Sequence, residues 1–500
     1  MKNVGTQPNS PDCHSDLGFG SDWFGWLAIF ISSLALGACT STTAPPDMQL
    51  SFQVPLTSSE SPNVASSDNL IQWWTRFHDP LLDTLVTQSL NNNLTIKTAQ
   101  STLRQAWALR DIAAAALLPS LDGSAAAQHN RVQNAGSNLF QVGADANWAV
   151  DIFGGARSAR DAADDSALSS SASLGDTQVA ISAQVGLTYI SLRDAQARFE
   201  IAHKNLANQE ETLQITRWRQ QAGFFTDLEV EQARSSVEQT RALMPALQIA
   251  IAQNQHALAL LTGQPPRMLG QQLSAPQPVP QADTELALTI PAETLRQRAD
   301  IRAAEYNVLA SRERISQAEA ARLPSFSLGG SIGLSALTTG MLSDGTSLIS
   351  SLIAGVTLPI FDGGARRAQV SLQQAAADQV QLAYETAVLS ALSDVENALT
   401  ALRNDQQRLR SMRIAGESAA NASQLASERY SSGLVDFQVV LQTQLTQLVT
   451  QDAVASANAD VSSDQIRLYR ALGGGWHPGS QNQAATETPT ENQSPLITKP

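Results

Sequence analysis

Beyond residue 39 this 500-residue chain contains no cysteine, and only Cys13 and Cys39 precede that point. A product cut before Cys39 could therefore form no internal disulfide. Basic residues are scarce: 32 Lys and Arg stand against 46 Asp and Glu, a net charge of −14, with no Lys/Arg cluster. That leaves no electrostatic footprint for nucleic acid. The six histidines, at 14, 78, 129, 203, 256 and 477, lack metal-ligand spacing, so no metal centre is expected. Aromatics make up only 5% of the chain, which argues against a thick aromatic core and for long helices packed through Ala, Ser, Gln and Leu. Outside the first forty residues no apolar run is long enough for a spanning helix, so any further membrane crossing must use strands. Catalysis is also poorly supported. Gly329-Gly330-Ser331-Ile332-Gly333 matches a nucleophile elbow, but Ser331 lies within an alternating strand pattern and the only downstream histidine is His477.

Among the features present, the N-terminus is the most directional. The apolar stretch Trp23 to Leu36 has the length of a signal-peptide core and ends in Leu36-Gly37-Ala38-Cys39, which resembles the bacterial lipobox. Residues 1–38 then read as a signal peptide with an unusually long leader carrying Lys2, Asp12, Asp16 and Asp22. Residues 39–66 read as a lipidated flexible tether, with a covalent lipid on Cys39 and no other cofactor. Thr40, rather than Asp, follows the cysteine, as in lipoproteins released to the outer membrane. Residues 475–500, rich in Pro, Thr, Gln and Asn, are expected to be disordered.

Between these ends the chain says the same thing twice. Ala116-Leu117-Leu118-Pro119-Ser120 returns as Ala321-Arg322-Leu323-Pro324-Ser325, and Ile152-Phe153-Gly154-Gly155-Ala156-Arg157 returns with one insertion as Ile360-Phe361-Asp362-Gly363-Gly364-Ala365-Arg366. Gly223 is matched by Gly433, and Leu261-Thr262-Gly263 by Leu472-Gly473-Gly474, all at a separation of roughly 205 to 210 positions. The repeats span 67–263 and 291–474. The Pro-rich segment 264–290 reads as a linker.

Each repeat alternates between two periods. Leu81, Leu82, Leu85, Val86 and Leu90 fit one helical face, Ala99, Leu103, Ala106 and Leu109 another, and Pro119 stops that helix. The period then becomes two: Phe140, Val142, Ala144, Ala146, Trp148 and Val150 alternate with polar or small residues. In the second repeat Phe326, Leu328, Ile332 and Leu334 do the same, followed by Leu352, Ala354, Val356, Leu358 and Ile360. Strands of about ten residues can cross an outer membrane when tilted. Four such strands per chain cannot close a barrel, and an open edge does not survive in lipid, so closure requires several copies; three would give about twelve strands. From Arg366 to Ser432 there is no proline and one glycine, Gly416, which predicts on the order of 100 Å of helix. The chain turns at Gly433 and returns through Leu472. The first repeat runs out from Arg157, turns at Gly223 and returns to Leu261, with a bend expected at Pro245. Gly223 and Gly433 suit a reversal that favours positive φ.

These residues resemble the TolC-type outer membrane efflux proteins, in their NodT-like lipoprotein branch. The resemblance covers about residues 70–476 and rests on several motifs in order. They are Trp73-Trp74-x-x-Phe77-x-Asp79-Pro80-Leu81-Leu82, Arg296-Gln297-Arg298-Ala299-Asp300-Ile301-Arg302-Ala303-Ala304-Glu305, Arg429-Tyr430-Ser431-Ser432-Gly433-Leu434-Val435-Asp436-Phe437, and Ala471-Leu472-Gly473-Gly474-Gly475-Trp476. The family usually has Pro where Ala299 stands, a change confined to a turn. The resemblance implies a mainly α fold with a membrane β-barrel: a homotrimer with a twelve-stranded barrel in outer membrane lipid and a twelve-helix barrel through the periplasm. Its implied role is a passive efflux duct that docks to a periplasmic adaptor and an inner-membrane pump through tips around Gly223 and Gly433. It further implies a latch between Glu229 and Tyr430 that holds the periplasmic aperture shut. Aspartates expected to line the constriction are replaced by Val439 and Gln442, leaving Asp436 near the tip. Asp436 is equally well read as the N-terminal cap of the returning helix. The alternative is a periplasmic adaptor or structural lipoprotein, which would carry one hairpin and compact β domains.

Overall fold

The computed structural model describes residues 68–132, 135–282, 297–343 and 347–476. The expected signal peptide, the expected lipidation site at Cys39 with its tether, and the tail beyond residue 476 lie outside the described residues, as do Arg296 and positions 283–296 of the linker and second repeat.

A short helix α1 (Asp68–Ile71) and a 3-10 turn (Trp73–Phe77) lead into α2 (Pro80–Asn92) and α3 (Leu94–Ala115). Strands β1 (Ser120–Val132) and β2 (Ala135–Val150) follow, then α4 (Gly155–Gln221) and α5 (Asp227–Leu261). After a one-turn helix α6 (Gly270–Leu273), the second repeat gives α7 (Ala299–Ala320), β3 (Ser325–Ala336), β4 (Leu348–Thr357), α8 (Ala365–Ser431) and α9 (Phe437–Ala471). The duplication is reproduced to the residue in helix length: α4 and α8 have 67 residues each, α5 and α9 have 35, and α3 and α7 have 22. At 1.5 Å per residue the longest helices run about 100 Å. The helix α5 is continuous through Pro245, where the bend was expected.

These lengths define a wall four helices wide. The long helices α4 and α8 run its full height, while each shorter pair divides one column between its two members. Near the sheet, α4 packs on α3 and α7; toward the hairpin tips it packs on α5 and α9, and α8 packs on α7 and then α9. The columns are joined end to end by matched junctions. Asn93 caps the start of α3 by accepting from the amides of Thr95 and Ile96, and its Nδ2 donates to the Leu261 carbonyl at the end of α5, 2.8 Å away. In the second repeat Arg298, at the start of α7, donates from Nη1 to the Ala471 carbonyl at the end of α9, 2.6 Å away. One side chain thus supplies a donor where a helix would leave carbonyls unpaired. Contact surfaces between helices are built from small side chains: Ala162, Ala167, Ser169, Ala172, Gly175, Ser182, Ala183 and Gly186 are buried along α4.

The aromatic motif of the first repeat forms the core at mid-height. Trp73 is fully buried, stacks on Tyr469 at 5.8 Å and meets Trp74 and Phe77 edge-on. Asp79 caps α2 and accepts from the Tyr189 hydroxyl at 2.6 Å; Arg193 donates to that hydroxyl, to Gln196 and to the Ala275 carbonyl. Gln196 donates to the Leu273 carbonyl, and Gln465 pairs with both backbone groups of Ala282. The described part of the linker also contributes to packing. Leu269, Leu273 and Ala282 are buried in this core, because their apolar side chains outweigh the neighbouring prolines.

The four strands form one antiparallel sheet in chain order. Residues directly opposite share a face, and across β2 and β3 the register separates apolar from polar side chains, while β4 also places Ile349 and Ile353 on the polar face. Phe140, Val142, Trp148 and Val150 of β2 oppose Ala336, Leu334, Leu328 and Phe326 of β3, which continue across to Leu348, Ala354 and Val356 of β4. The other face carries Gln141, Asp145 and Asn147 with Ser327, Ser331 and Ser335, and Ser331 hydrogen-bonds Ser351 at 2.7 Å. Ser331 is thus a strand residue in a serine ladder, away from any strand-to-helix turn.

Candidate functional site

Two regions of the wall have functional geometry. The first is the sheet. Leu121, Val142, Ile332, Leu352 and Val356 are exposed on its apolar face, and the outer edges of β1 and β4 have no strand neighbour among the described residues. Gly143 and Gly333 meet on the polar face, where a Cβ on Gly333 would lie 2.8 Å from the Val142 carbonyl oxygen and 2.9 Å from the Gly143 Cα. The strands approach there too closely for any side chain.

The second region is the pair of hairpin tips. Both outgoing helices end in the same motif. The Phe224 amide donates back to the Arg219 carbonyl and the Gly223 amide to Gln220, while Leu434 and Gly433 donate to Arg429 and Tyr430. Gly223 has φ +80° and Gly433 φ +74°, with nothing within 4 Å of a built Cβ, so backbone conformation rather than space calls for glycine. The re-entry differs between the tips. Thr226 and Glu229 form a capping box, with the Thr226 amide donating to Glu229 Oε2 at 2.9 Å. Asp436 occupies the cap position of α9 but its side chain makes no capping hydrogen bond.

Phe225 of the first tip stacks on Tyr430 of the second at 6.1 Å, and Phe437 sits 5.9 Å from Phe225 and 5.5 Å from Tyr430. The Arg219 guanidinium lies 4.7 Å from the Tyr430 ring centre. The Glu229–Tyr430 hydrogen bond is not formed within the chain. The Glu229 carboxylate is engaged by Thr226, which holds it below its ordinary pKa, and among the described residues the Tyr430 hydroxyl makes no hydrogen bond to Glu229, with Arg219 the basic group beside it. Burial pushes that hydroxyl upward, opposed by Arg219. Within one protomer the tips are joined by an aromatic cluster under a cation. Asp436, Val439 and Gln442 stay exposed on α9, and Phe224 (79% exposed) and Leu434 (74%) project at the apices. The roles of Arg219 and Phe225 left no periodic trace in the sequence. Thr226-x-x-Glu229 did, as a capping-box spacing.

A sheet apolar on one face and polar on the other, open at both edges and continued by two hairpins about 100 Å long, defines one segment of an outer membrane channel. The outer membrane efflux protein family matches residues 85–264 and 290–474. The chain is 32% identical over 472 residues to the pyoverdine export outer membrane protein OpmQ of Pseudomonas putida, covering 91% of this chain and 98% of that protein. It is 30% identical over 453 residues to nodulation protein T of Rhizobium leguminosarum, covering 90% and 92%. The solved structure of the outer-membrane channel OprN superposes with a TM-score of 0.78 at 32% identity, over 84% of this chain and 98% of that one. The chain belongs to the outer membrane efflux protein family, and it is an outer membrane efflux channel.

Proposed function

We propose that three copies of this chain close into a passive duct. Their sheets join edge to edge as a twelve-stranded barrel in outer membrane lipid, and their helical walls continue it as a twelve-helix barrel through the periplasm. Cys39 carries a lipid that tethers each copy to the membrane. The tips around Gly223 and Gly433 engage a periplasmic adaptor, and an inner-membrane pump supplies the energy for small molecules to pass outward. The aperture is set at the tips, where Glu229, Tyr430, Asp436 and Gln442 stand.

The observation that carries this reading is the sheet: its apolar face and unpaired edges are incompatible with lipid unless further strands complete it. Four strands are too few to enclose a lumen. The lumen surface of Ser, Gln, Asn and Gly supplies few specific contacts, so cargo choice falls to the pump. Membrane fractionation with unboiled gel electrophoresis tests the assembly, and single-channel recording in planar bilayers tests conduction. A heat-labile trimer in outer membranes that conducts ions is the expected result. A soluble or inner-membrane monomer would overturn it.

A further inference from the structure

At mid-height, α4, α8 and α9 meet along a seam carrying more acids than bases. Asp194 and Arg198 come from α4, Asp405 and Arg408 from α8, and Asp452, Asp460, Asp464 and Arg467 from α9. Arg198 binds Asp452 through Nε (2.7 Å) and Nη2 (3.0 Å) and lies 3.6 Å from Asp194. Arg408 is held between Asp405, at 3.2 Å, and Asp460. Arg467 reaches Asp464 Oδ1 at 2.7 Å. Three guanidinium groups therefore serve five carboxylates.

The excess surfaces at Asp464. Its side chain is 1% exposed, and among the described residues no group donates to its Oδ2. The Asp405 carboxyl of α8 acts on it, raising the Asp464 pKa through hydrogen bonding and through its charge. Two carboxylates are both acceptors and cannot bond without a proton between them. Arg408 cannot relieve the contact because Asp405 and Asp460 already hold it. The remaining charged groups around this end of α9 are Asp176 of α4, Asp394 of α8, Arg470 of α9 and the Arg298–Asp300 pair opening α7. Arg298 is itself engaged by Asp300 and Asp394.

We infer that this seam is a proton-binding site: a hydrogen ion shared by Asp405 and Asp464 pins α8 to α9, and its departure loosens the second hairpin. Burial first, and then Asp405, raise the Asp464 pKa from 3.8 to about 6. Because the folded value is raised, the seam's contribution to stability is complete below the unfolded value and is lost as pH rises through about 6. The inference does not rest on the duct reading, since it concerns contacts within one chain.

The test is infrared spectroscopy of the full-length protein in lipid nanodiscs, titrated from about pH 5 to about pH 8 around the expected midpoint. The spectrum of the wild type minus that of Asp464→Asn should contain a protonated-carboxyl C=O band that vanishes with a midpoint near 6. Asp405→Asn, which keeps Asp464, should move that midpoint down by about one pH unit or more. It serves as the decisive variant should Asp464→Asn fail to assemble. Hydrogen exchange around Asp405 and Asp464, corrected for intrinsic rates, should quicken several-fold across the same range in wild type and stay flat in Asp464→Asn. A band identical in wild type and Asp405→Asn, or exchange in wild type that ignores pH, overturns the inference.

Discussion

Single residues in this wall act mainly by supplying donors where long helices and buried charges need them. Tyr189 is the clearest case. Its hydroxyl donates to Asp79 Oδ2 and accepts from Arg193 Nη2 at 2.9 Å, so one oxygen links an otherwise separated acid and base. Arg193 is 1% exposed and, among the described residues, has no carboxylate of its own. Tyr189→Phe keeps the ring that faces the Arg193 guanidinium at 4.8 Å but leaves both charged partners short of a hydrogen bond. It is expected to cost about 2 kcal/mol, since unsatisfied buried groups bear the full desolvation penalty. A lowered midpoint in thermal unfolding followed by circular dichroism checks this, and an unchanged midpoint would show that Gln196 and the Ala275 carbonyl hold Arg193 without the phenol. At this scale the motif Trp73-Trp74-x-x-Phe77-x-Asp79-Pro80 could be recognised, but its purpose could not. Nothing in the spacing of Asp79, Tyr189 and Arg193 brings them together until α2 packs on α4.

At the scale of elements the sequence was more legible. The length of α4 and α8, the reversals at Gly223 and Gly433, and the alternation of β2, β3 and β4 follow from proline-free runs, glycine placement and period. The strand β1 was the hard one: Ser124-Ala125-Ala126-Ala127-Gln128 has no contrast between its faces, so only the duplication called for it. The tips were half legible. Their glycines and the Thr226–Glu229 box are local, whereas the stack of Phe225, Tyr430, Phe437 and Arg219 joins two hairpins some two hundred residues apart. Two expectations follow. Removing Phe437, which is buried in that stack, by Phe437→Ala should cost about 3 kcal/mol locally. The signature is faster hydrogen exchange at both tips, with the sheet unaffected; protection retained at the Phe225 tip would refute coupling through the stack. In the sheet, Gly333→Val forces a side chain against the β2 backbone and should abolish the heat-labile oligomer on unboiled gels. Gly330→Ala, whose Cβ would meet only ordinary contacts at 3.6 Å, should leave it intact. If the two variants behave alike, close strand approach at Gly333 is not what limits assembly.

For the whole molecule, the duplication matters because it makes each chain two near-equivalent units of a ring while leaving β1 and β4 as its unlike edges. Closure then has one geometric solution, β1 of one copy beside β4 of the next, which is heterologous and becomes finite only if the rotation closes. This can be tested because the chain carries no cysteine beyond residue 39. Within one chain β2 and β3 separate β1 from β4, so three strand spacings of about 4.8 Å hold their facing residues about 14 Å apart. A disulfide tolerates at most about 7 Å between Cα atoms. A bond between cysteines placed on the same face of β1 and β4, such as Ala125→Cys or Ala127→Cys with Leu348→Cys, Leu352→Cys or Val356→Cys, must therefore join different copies. For the pair in register, oxidation in intact outer membranes is expected to give a ladder of monomer, dimer and trimer on denaturing gels, collapsing to monomer on reduction. Pairs out of register should stay monomeric, which makes the pattern a reading of the inter-copy register as well. Monomer alone across every pair would rule out the edge-to-edge ring, and a ladder extending past three would replace it with a larger one.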